Sequence, residues 1–346
     1  AELQYLLRET WFNVTAGAGY MEGDLEDRRS TIYDRDAFSG LFPPGDPVPP
    51  LPSDSYIEID ADQHHGNAYL YSTFQFIDNL DLTAGLSYDD FEKSALDANQ
   101  LNPKLGITWR PFSKTVVRGA VFRVLTRTLL SDQTVEPTQV AGFNQFYQDI
   151  PGADTRTYGA AVDQRFTSEL FGGIEYLQRD QEIPYEVESG GQTQLETSDW
   201  EENIGRGYLY WAPHPWVVGS AEYLYEDWER GSDFPGLEAI RTLTTNRIGF
   251  GVNFFHPSGM FARLKSTYAD QEGEFWDDTL TSTRNESDNF WVFDAAFGYR
   301  FPKRYGVFTF EMKNLFDEAI KFQDTDPANP SIYPERLVVV RLTLSF

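Results

Sequence analysis

The run Asp60-Ala-Asp-Gln-His-His65 is where carboxylates and imidazoles crowd together in this 346-residue chain. In an extended backbone Asp60, Asp62 and His64 share one side, and His65 faces the other. Such a trio could hold a divalent ion through oxygen and nitrogen donors, or activate a water if an imidazole takes its proton. Against that chemistry, His214 and His256 stand far off beside prolines, and the chain has no Cys to supply a thiolate. Alternate Asp residues are also common in solvated acidic loops. A Gly-rich phosphate loop, a Ser-His-Asp set and a basic patch suited to nucleic acid are all missing from the sequence. The residues point away from an enzyme, a resident metal or cofactor, and a nucleic-acid partner. Asp60, Asp62 and His64 are kept as the weak metal candidates.

The elements that must position any chemistry here are strands. Asp81 to Asp89 sets Leu82, Ala84, Leu86 and Tyr88 opposite Thr83, Gly85, Ser87 and Asp89. Arg247 to Phe254 sets Ile248, Phe250, Val252 and Phe254 opposite Arg247, Gly249, Gly251 and Asn253. Phe293 to Phe301 repeats the pattern with Phe293, Ala295, Phe297, Tyr299 and Phe301. Period two with one apolar face is a strand signal, whereas helical spacing would scatter these rings around the axis. The same reading predicts about fourteen strands along the chain. They fall near 11–22, 66–77, 80–91, 101–111, 115–125, 156–166, 169–180, 197–212, 215–228, 239–255, 259–271, 288–301, 306–316 and 334–346.

Connections sort by parity. One set is short, as in Asp78-Asn79, Thr167-Ser168, Pro213-His214 and His256-Pro257-Ser258. The alternate set is long and acidic, over 23–65, 126–155, 181–196, 229–238, 272–287 and 317–333. Outer-membrane barrels are built this way, with tight turns in the periplasm and long loops outside, and a soluble sandwich has no reason to sort its loops. The apolar face carries Trp109, Trp211, Trp216 and Phe301 near the short turns, and Tyr20, Tyr88, Tyr176, Tyr225 and Tyr268 near the long loops. Amphipathic rings favour the headgroup level, so two such girdles mark a bilayer. Phe346 ends an alternating last strand.

The bulk numbers are compatible. Mean hydropathy is −0.47, and no apolar run approaches the roughly 18 residues of a membrane helix. A membrane barrel shows lipid only every second residue, so it reads as polar on average. The expectation is an all-β, transmembrane, antiparallel up-and-down barrel, closed, in the bacterial outer membrane. It is one domain over 1–346, or the C-terminal membrane domain of a longer protein.

On the polar face lie the lumen-lining candidates. The basic ones are Lys104, Arg110, Arg118, Arg165, Arg206, Arg247, Arg263, Lys265, Arg300 and Arg341; the acidic ones are Asp163, Glu175, Glu222, Asp294 and Glu311. The net charge of −26 sits mainly in the loops, so this wall is mixed and leans basic. Charge rings set pore selectivity, and such a wall favours anions. The competing reading is that the two signs fill the barrel as cross-lumen salt bridges. Loop 133–155 is long enough to fold inward, with Phe143, Phe146 and Tyr147 as apolar constriction anchors, or to stay at the surface. Pro43 to Pro52 forms a stiff polyproline stretch that could cover the mouth.

Three stretches resemble the barrel of TonB-dependent receptors: Leu101–Pro111, Val135–Gln145, and Lys313-Asn-Leu-Phe-Asp-Glu318 followed by Tyr333-Pro-Glu-Arg336. Together they look like the receptor-like barrel that ends some tetratricopeptide-repeat outer-membrane proteins. That resemblance implies a channel passing solute or polymer, as the membrane domain of an export or secretion assembly. A receptor-like uptake barrel or simple porin is the alternative, and an outer-membrane hydrolase or structural adhesion barrel a further one. Uptake receptors enclose a plug in roughly 22 strands, whereas here the first expected strand starts within a dozen residues. The implied partners are outer-membrane lipid, lipopolysaccharide, and a periplasmic partner or an upstream helical-repeat domain.

Overall fold

A computed structural model describes residues 1–31, 55–93, 96–129, 133–147, 149–189, 192–231, 240–276, 282–320 and 335–345. Fifteen strands form one antiparallel sheet in chain order, and a two-residue hairpin lies apart from it. The first five are β1 (Glu2–Arg8), β2 (Phe12–Thr31), β3 (Ser55–Ile77), β4 (Leu80–Lys93) and β5 (Leu96–Phe112). After β6 (Thr115–Leu125) the chain leaves the sheet to make the hairpin β7 (Gln139–Val140) and β8 (Phe143–Asn144). It returns as β9 (Asp154–Arg165), β10 (Leu170–Ser189), β11 (Gln192–His214), β12 (Val217–Arg230) and β13 (Ile240–Phe255). The last four are β14 (Met260–Trp276), β15 (Thr283–Arg300), β16 (Gly306–Lys313) and β17 (Leu337–Leu344).

All fourteen expected strands are present in the expected order. Three features differ. The additional strand is β1, which pairs with β2 from Glu2↔Gly19 to Arg8↔Asn13; its Leu6-Leu7 step breaks the alternation that marks the others. The ladder does not close among the described residues, because β1 and β17 are its two edges. Much of the expected loop 181–196 is strand, with β10 and β11 paired from Leu170↔Trp211 out to Ser189↔Gln192. On β10 this extension keeps the period-two signal, with Ile183, Tyr185 and Val187 set against Glu182, Pro184 and Glu186; on β11 the facing run Gln192 to Glu196 is polar except for Leu195.

Strand length and the girdles define the membrane zone. The 23 residues of β11 extend over roughly 75 Å, far more than the 9–11 residues a membrane strand needs. Eight residues along β4 separate Tyr88 from Leu80, whose partner is Trp109. That is about 26 Å along the strand, or roughly 20 Å of height at the ~35–45° tilt of outer-membrane strands, which falls within their apolar band of about 25 Å. Within it the outer face is apolar and exposed: Leu82, Leu86, Leu101, Leu105 and Ile107 are each more than a third exposed. Their sequence neighbours Ser87, Asp89, Asn102 and Lys104 are buried on the other side. Below the band, Trp216 occupies the turn after β11 between the rings of His214 and His256, at 5.0 and 5.1 Å. Pro43–Pro52 and Phe346 lie outside the described residues.

The Asn-Leu-Phe-Asp element has a local structural job. Asn314 is buried, accepts from the Glu318 amide at 2.8 Å and donates to the Glu318 carbonyl at 2.9 Å. Asp317 accepts from the Arg336 amide at 2.9 Å. This ties the exit of β16 to the entry of β17, with both Asn314 and Asp317 left-handed at φ 48° and 61°, a conformation that Asn and Asp tolerate best after Gly.

Candidate functional site

Between β6 and β9, the described residues of the 126–153 segment (126–129, 133–147 and 149–153) fold back over the inner face of the sheet. The two ends of the segment zip together: the Thr126 amide donates to the Ala153 carbonyl, the Gly152 amide to the Thr126 carbonyl, and the Arg127 amide to the Tyr147 carbonyl, each at 2.9 Å. Between them the hairpin turns at Ala141-Gly142, both left-handed at φ 49° and 86°, as a two-residue hairpin turn requires. Val140, Phe143 and Tyr147 are buried, and they cluster with Phe122, Val124, Ala161 and Leu177 of the wall. Gly106 and Gly159 make this possible. A Cβ at 106 would stand 2.8 Å from the Ala141 Cβ, and one at 159 would stand 2.6 Å from the Phe143 ring.

Polar groups lock the same segment. Arg127 is 1% exposed and donates to Asp89 at 2.5 Å and to Glu136 at 2.8 Å. Asp89 also accepts from Asn102 at 2.7 Å and contacts His65 at 3.0 Å. Glu136 also accepts from Tyr71 at 2.7 Å and Asn67 at 3.1 Å. Burial opposes the Arg127 charge, but Glu136 and Asp89 together hold its pKa above the ordinary value. The guanidinium stacks 4.4 Å from the Tyr147 ring centre; burial, then the Glu136 charge, push the Tyr147 hydroxyl well up. Farther along, Glu2 of β1 accepts from the Val135 amide at 2.8 Å and the Thr134 hydroxyl at 2.9 Å. Arg179 of β10 holds Asp149 and stacks 4.7 Å from Phe146. The segment thus reaches from β1 to β10.

The charged residues expected on the inner face fall into two groups. Several pair along the wall between nearby strands, not across a lumen. Arg118 donates to Asp163 at 2.9 Å and Glu175 at 3.2 Å, Arg247 to Glu226 at 2.9 Å, and Arg110 to Asp81 at 2.7 Å. Lys104 is buried and donates to the Arg123 carbonyl at 2.9 Å, and Arg263 donates to Asn253 at 3.0 Å. Arg165 lies 5.3 Å from the Phe171 ring centre. Asp294 accepts from the Asn314 amide at 2.9 Å, and Glu222 accepts from the Tyr210 hydroxyl. Among the described residues Arg206, Lys265, Arg300, Arg341 and Glu311 form no ion pair.

The 60–65 run divides as strand geometry requires. His65 points inward to Asp89, while His64 on the other face lies 3.4 Å from Glu92. Asp62 is exposed, and the Asp60 side chain lies outside the described residues. Among the described residues no three His, Asp or Glu side chains come together as a metal site. Of the three aromatic anchors, Phe143 and Tyr147 are buried and Phe146 is 39% exposed. Val140, Arg127 and Glu136 are members of the docked segment that period-two reasoning passes over. A buried apolar residue in a polar loop was the available signal for Val140; the other two had none.

Beside the hairpin tip a chamber of about 340 Å³ opens between the segment and β10–β14. Gly142, Phe143, Asn144 and Phe146 form its roof, and Glu175, Arg206, Glu222, Arg247 and Lys265 stand in its wall.

A family model described as "TonB dependent receptor-like, beta-barrel" matches residues 3–135, which run from β1 to the start of the docked segment. No curated protein matches the sequence. Among solved structures, the ferripyoverdine receptor of the outer membrane of Pseudomonas aeruginosa matches 100% of this chain with a TM-score of 0.63 and 13% identity. The siderophore receptor PirA from Acinetobacter baumannii matches 100% at 0.60 and 12%. The FrpB iron transporter from Neisseria meningitidis matches 98% at 0.64 and 9%. The fold is that of the TonB-dependent-receptor barrel wall. The fold is thus an outer-membrane β-barrel fold, and the solved proteins that share it are named as receptors and an iron transporter. The chain spans about half the length of these receptors, covering 47%, 54% and 53% of them.

Proposed function

We propose that this chain forms the wall of an outer-membrane uptake path whose bore is narrowed by its own segment 126–153. The observation that carries this reading is the docking of that segment on the inner face, with Arg127 buried between Asp89 and Glu136. A surface loop would keep its ion pairs in water, where each contributes little. A segment that seats Val140 and Phe143 against Gly106 and Gly159 and buries a charged triad is held against the wall. Uptake is preferred to export because the solved proteins of like fold are named as receptors and an iron transporter. Lipid and lipopolysaccharide would surround the outer face, and a periplasmic partner would meet the short-turn end.

The test is single-channel recording in planar bilayers, with the full chain and a variant lacking 133–152. Higher conductance in the deletion supports the reading. Equal conductance would place the segment outside the conducting path and overturn it.

A further inference from the structure

The chamber beside the hairpin tip has a chemistry that the docking of the segment does not use. Strand register places its cations. Glu175 pairs with Arg206, Arg206 with Leu224, and Leu224 with Arg247, so two guanidiniums stand in one row with a leucine between them. Lys265 lies two inward-facing rows nearer the short turns, opposite Gly251. Glu175 is paired with Arg118, whereas Glu222 accepts from the uncharged Tyr210 hydroxyl and keeps its charge, and Asp294 stands opposite Lys265 in the strand register. Among the described residues Arg206 and Lys265 have no ion-pair partner, and both are exposed to the chamber.

This arrangement runs against the bulk electrostatics of the molecule. A chain of net charge −26 repels anions over most of its surface, so a wall in which Arg206, Arg247 and Lys265 outnumber Glu175 and Glu222 is a local inversion. A cleft with low-dielectric walls focuses such a field. Guanidinium presents a planar fork suited to carboxylate or phosphate oxygens, and the ammonium adds a point charge. Gly249 keeps the wall between these groups flat, with the nearest neighbour of a Cβ there being the Lys265 side chain at 4.0 Å. Space for a solute is therefore left where a side chain could have stood.

We infer that this chamber is a binding site for a small multivalent anion, carboxylate or phosphate, held between Arg206 and Lys265 under the hairpin tip. Binding at this site does not require that the barrel conduct, so its failure is separable from failure of the transport reading.

The experiment is isothermal titration of the full chain in detergent with succinate and, separately, inorganic pyrophosphate. Saturable binding of either probe is expected, and the tighter one identifies carboxylate or phosphate as the preferred group. The double variant Arg206→Gln/Lys265→Gln should weaken it at least tenfold. Gly249→Leu, which keeps every charge but fills the chamber, should do the same. Arg300→Gln, outside the chamber, should leave it unchanged. Circular dichroism and heat-modifiable gel mobility establish that each variant is folded. Absence of saturable binding to the wild type, or binding unaltered in the double variant or in Gly249→Leu, would overturn the inference.

Discussion

Gly159 of β9 lies against the ring of Phe143, so close that a Cβ at 159 would be 2.6 Å from it. A strand of the wall thus leaves out its own side chain where the docked hairpin puts one in. Gly106 does the same opposite Val140 and Ala141, at 3.0 and 2.8 Å. Two separate strands carry matching vacancies for one hairpin, which explains how six residues of hairpin stay seated without a large core.

Substituting those glycines should unseat the hairpin without disturbing the wall. Gly159→Val inserts methyl groups into a filled slot, and overpacking of this kind costs about 1–3 kcal/mol. The expected outcome is faster proteolytic cleavage within 133–147 while the barrel band on a semi-native gel is retained. Cleavage at the wild-type rate would mean that Phe143 is not held by this slot.

Removing the Arg127 side chain should have a larger effect. Arg127→Ala leaves Asp89 and Glu136 buried with no guanidinium between them, and breaking one partner of a buried ion set costs about 3–5 kcal/mol. Replacing all three with neutral groups, as in Arg127→Leu/Asp89→Asn/Glu136→Gln, should recover most of that loss. Chemical denaturation in detergent reads both. A triple variant no more stable than Arg127→Ala would show that the charges are not the source of the cost.

The wall was legible in the sequence and the lock was not, for a physical reason. Facing alternates locally, so Leu82, Leu86 and Tyr88 declare their side against Ser87 and Asp89 within one strand. Phe143 and Tyr147 also stand out, as rings in a polar loop with no other reason to be apolar. By contrast, Arg127 meets Asp89 across 38 residues of sequence, and nothing in either local pattern points to the other. Phe146 shows the limit of the ring argument, because its ring is half open beside the Arg179 guanidinium. The edge strand β1 carries no such signal because an edge has little face to bury: Leu3 and Leu6, on opposite sides, are 77% and 50% exposed.

Charge placed on the outer face should discriminate a lipid-facing wall from a soluble one. Leu105 is 58% exposed in the middle of the apolar band, where water would tolerate a lysine. In a bilayer, Lys or Arg near the midplane of a barrel costs about 2–4 kcal/mol. Leu105→Lys should therefore lower the folding yield into liposomes strongly, while Thr108→Lys, on the inner face, should not. Equal yields for the two variants would contradict the assignment of faces.

The last prediction concerns ions passing the wall once the segment is removed. Inward cations step down the uncovered sector: Arg247, then Lys265 opposite Asp294, then Arg263 in the row of Ala296 and Glu311, then Arg341 opposite Thr309. Arg247 and Asp294 are engaged with neighbours, whereas Lys265 and Arg341 form no ion pair among the described residues. Fixed charge along a path sets its selectivity, so the variant lacking 133–152 should prefer anions despite the acidic exterior. Reversal potentials under a KCl gradient measure this directly, and Lys265→Gln/Arg263→Gln/Arg341→Gln should move them toward the cation side. Clear cation preference in the deletion variant itself would show that the outer acidic residues, not the inner wall, govern the ions that pass.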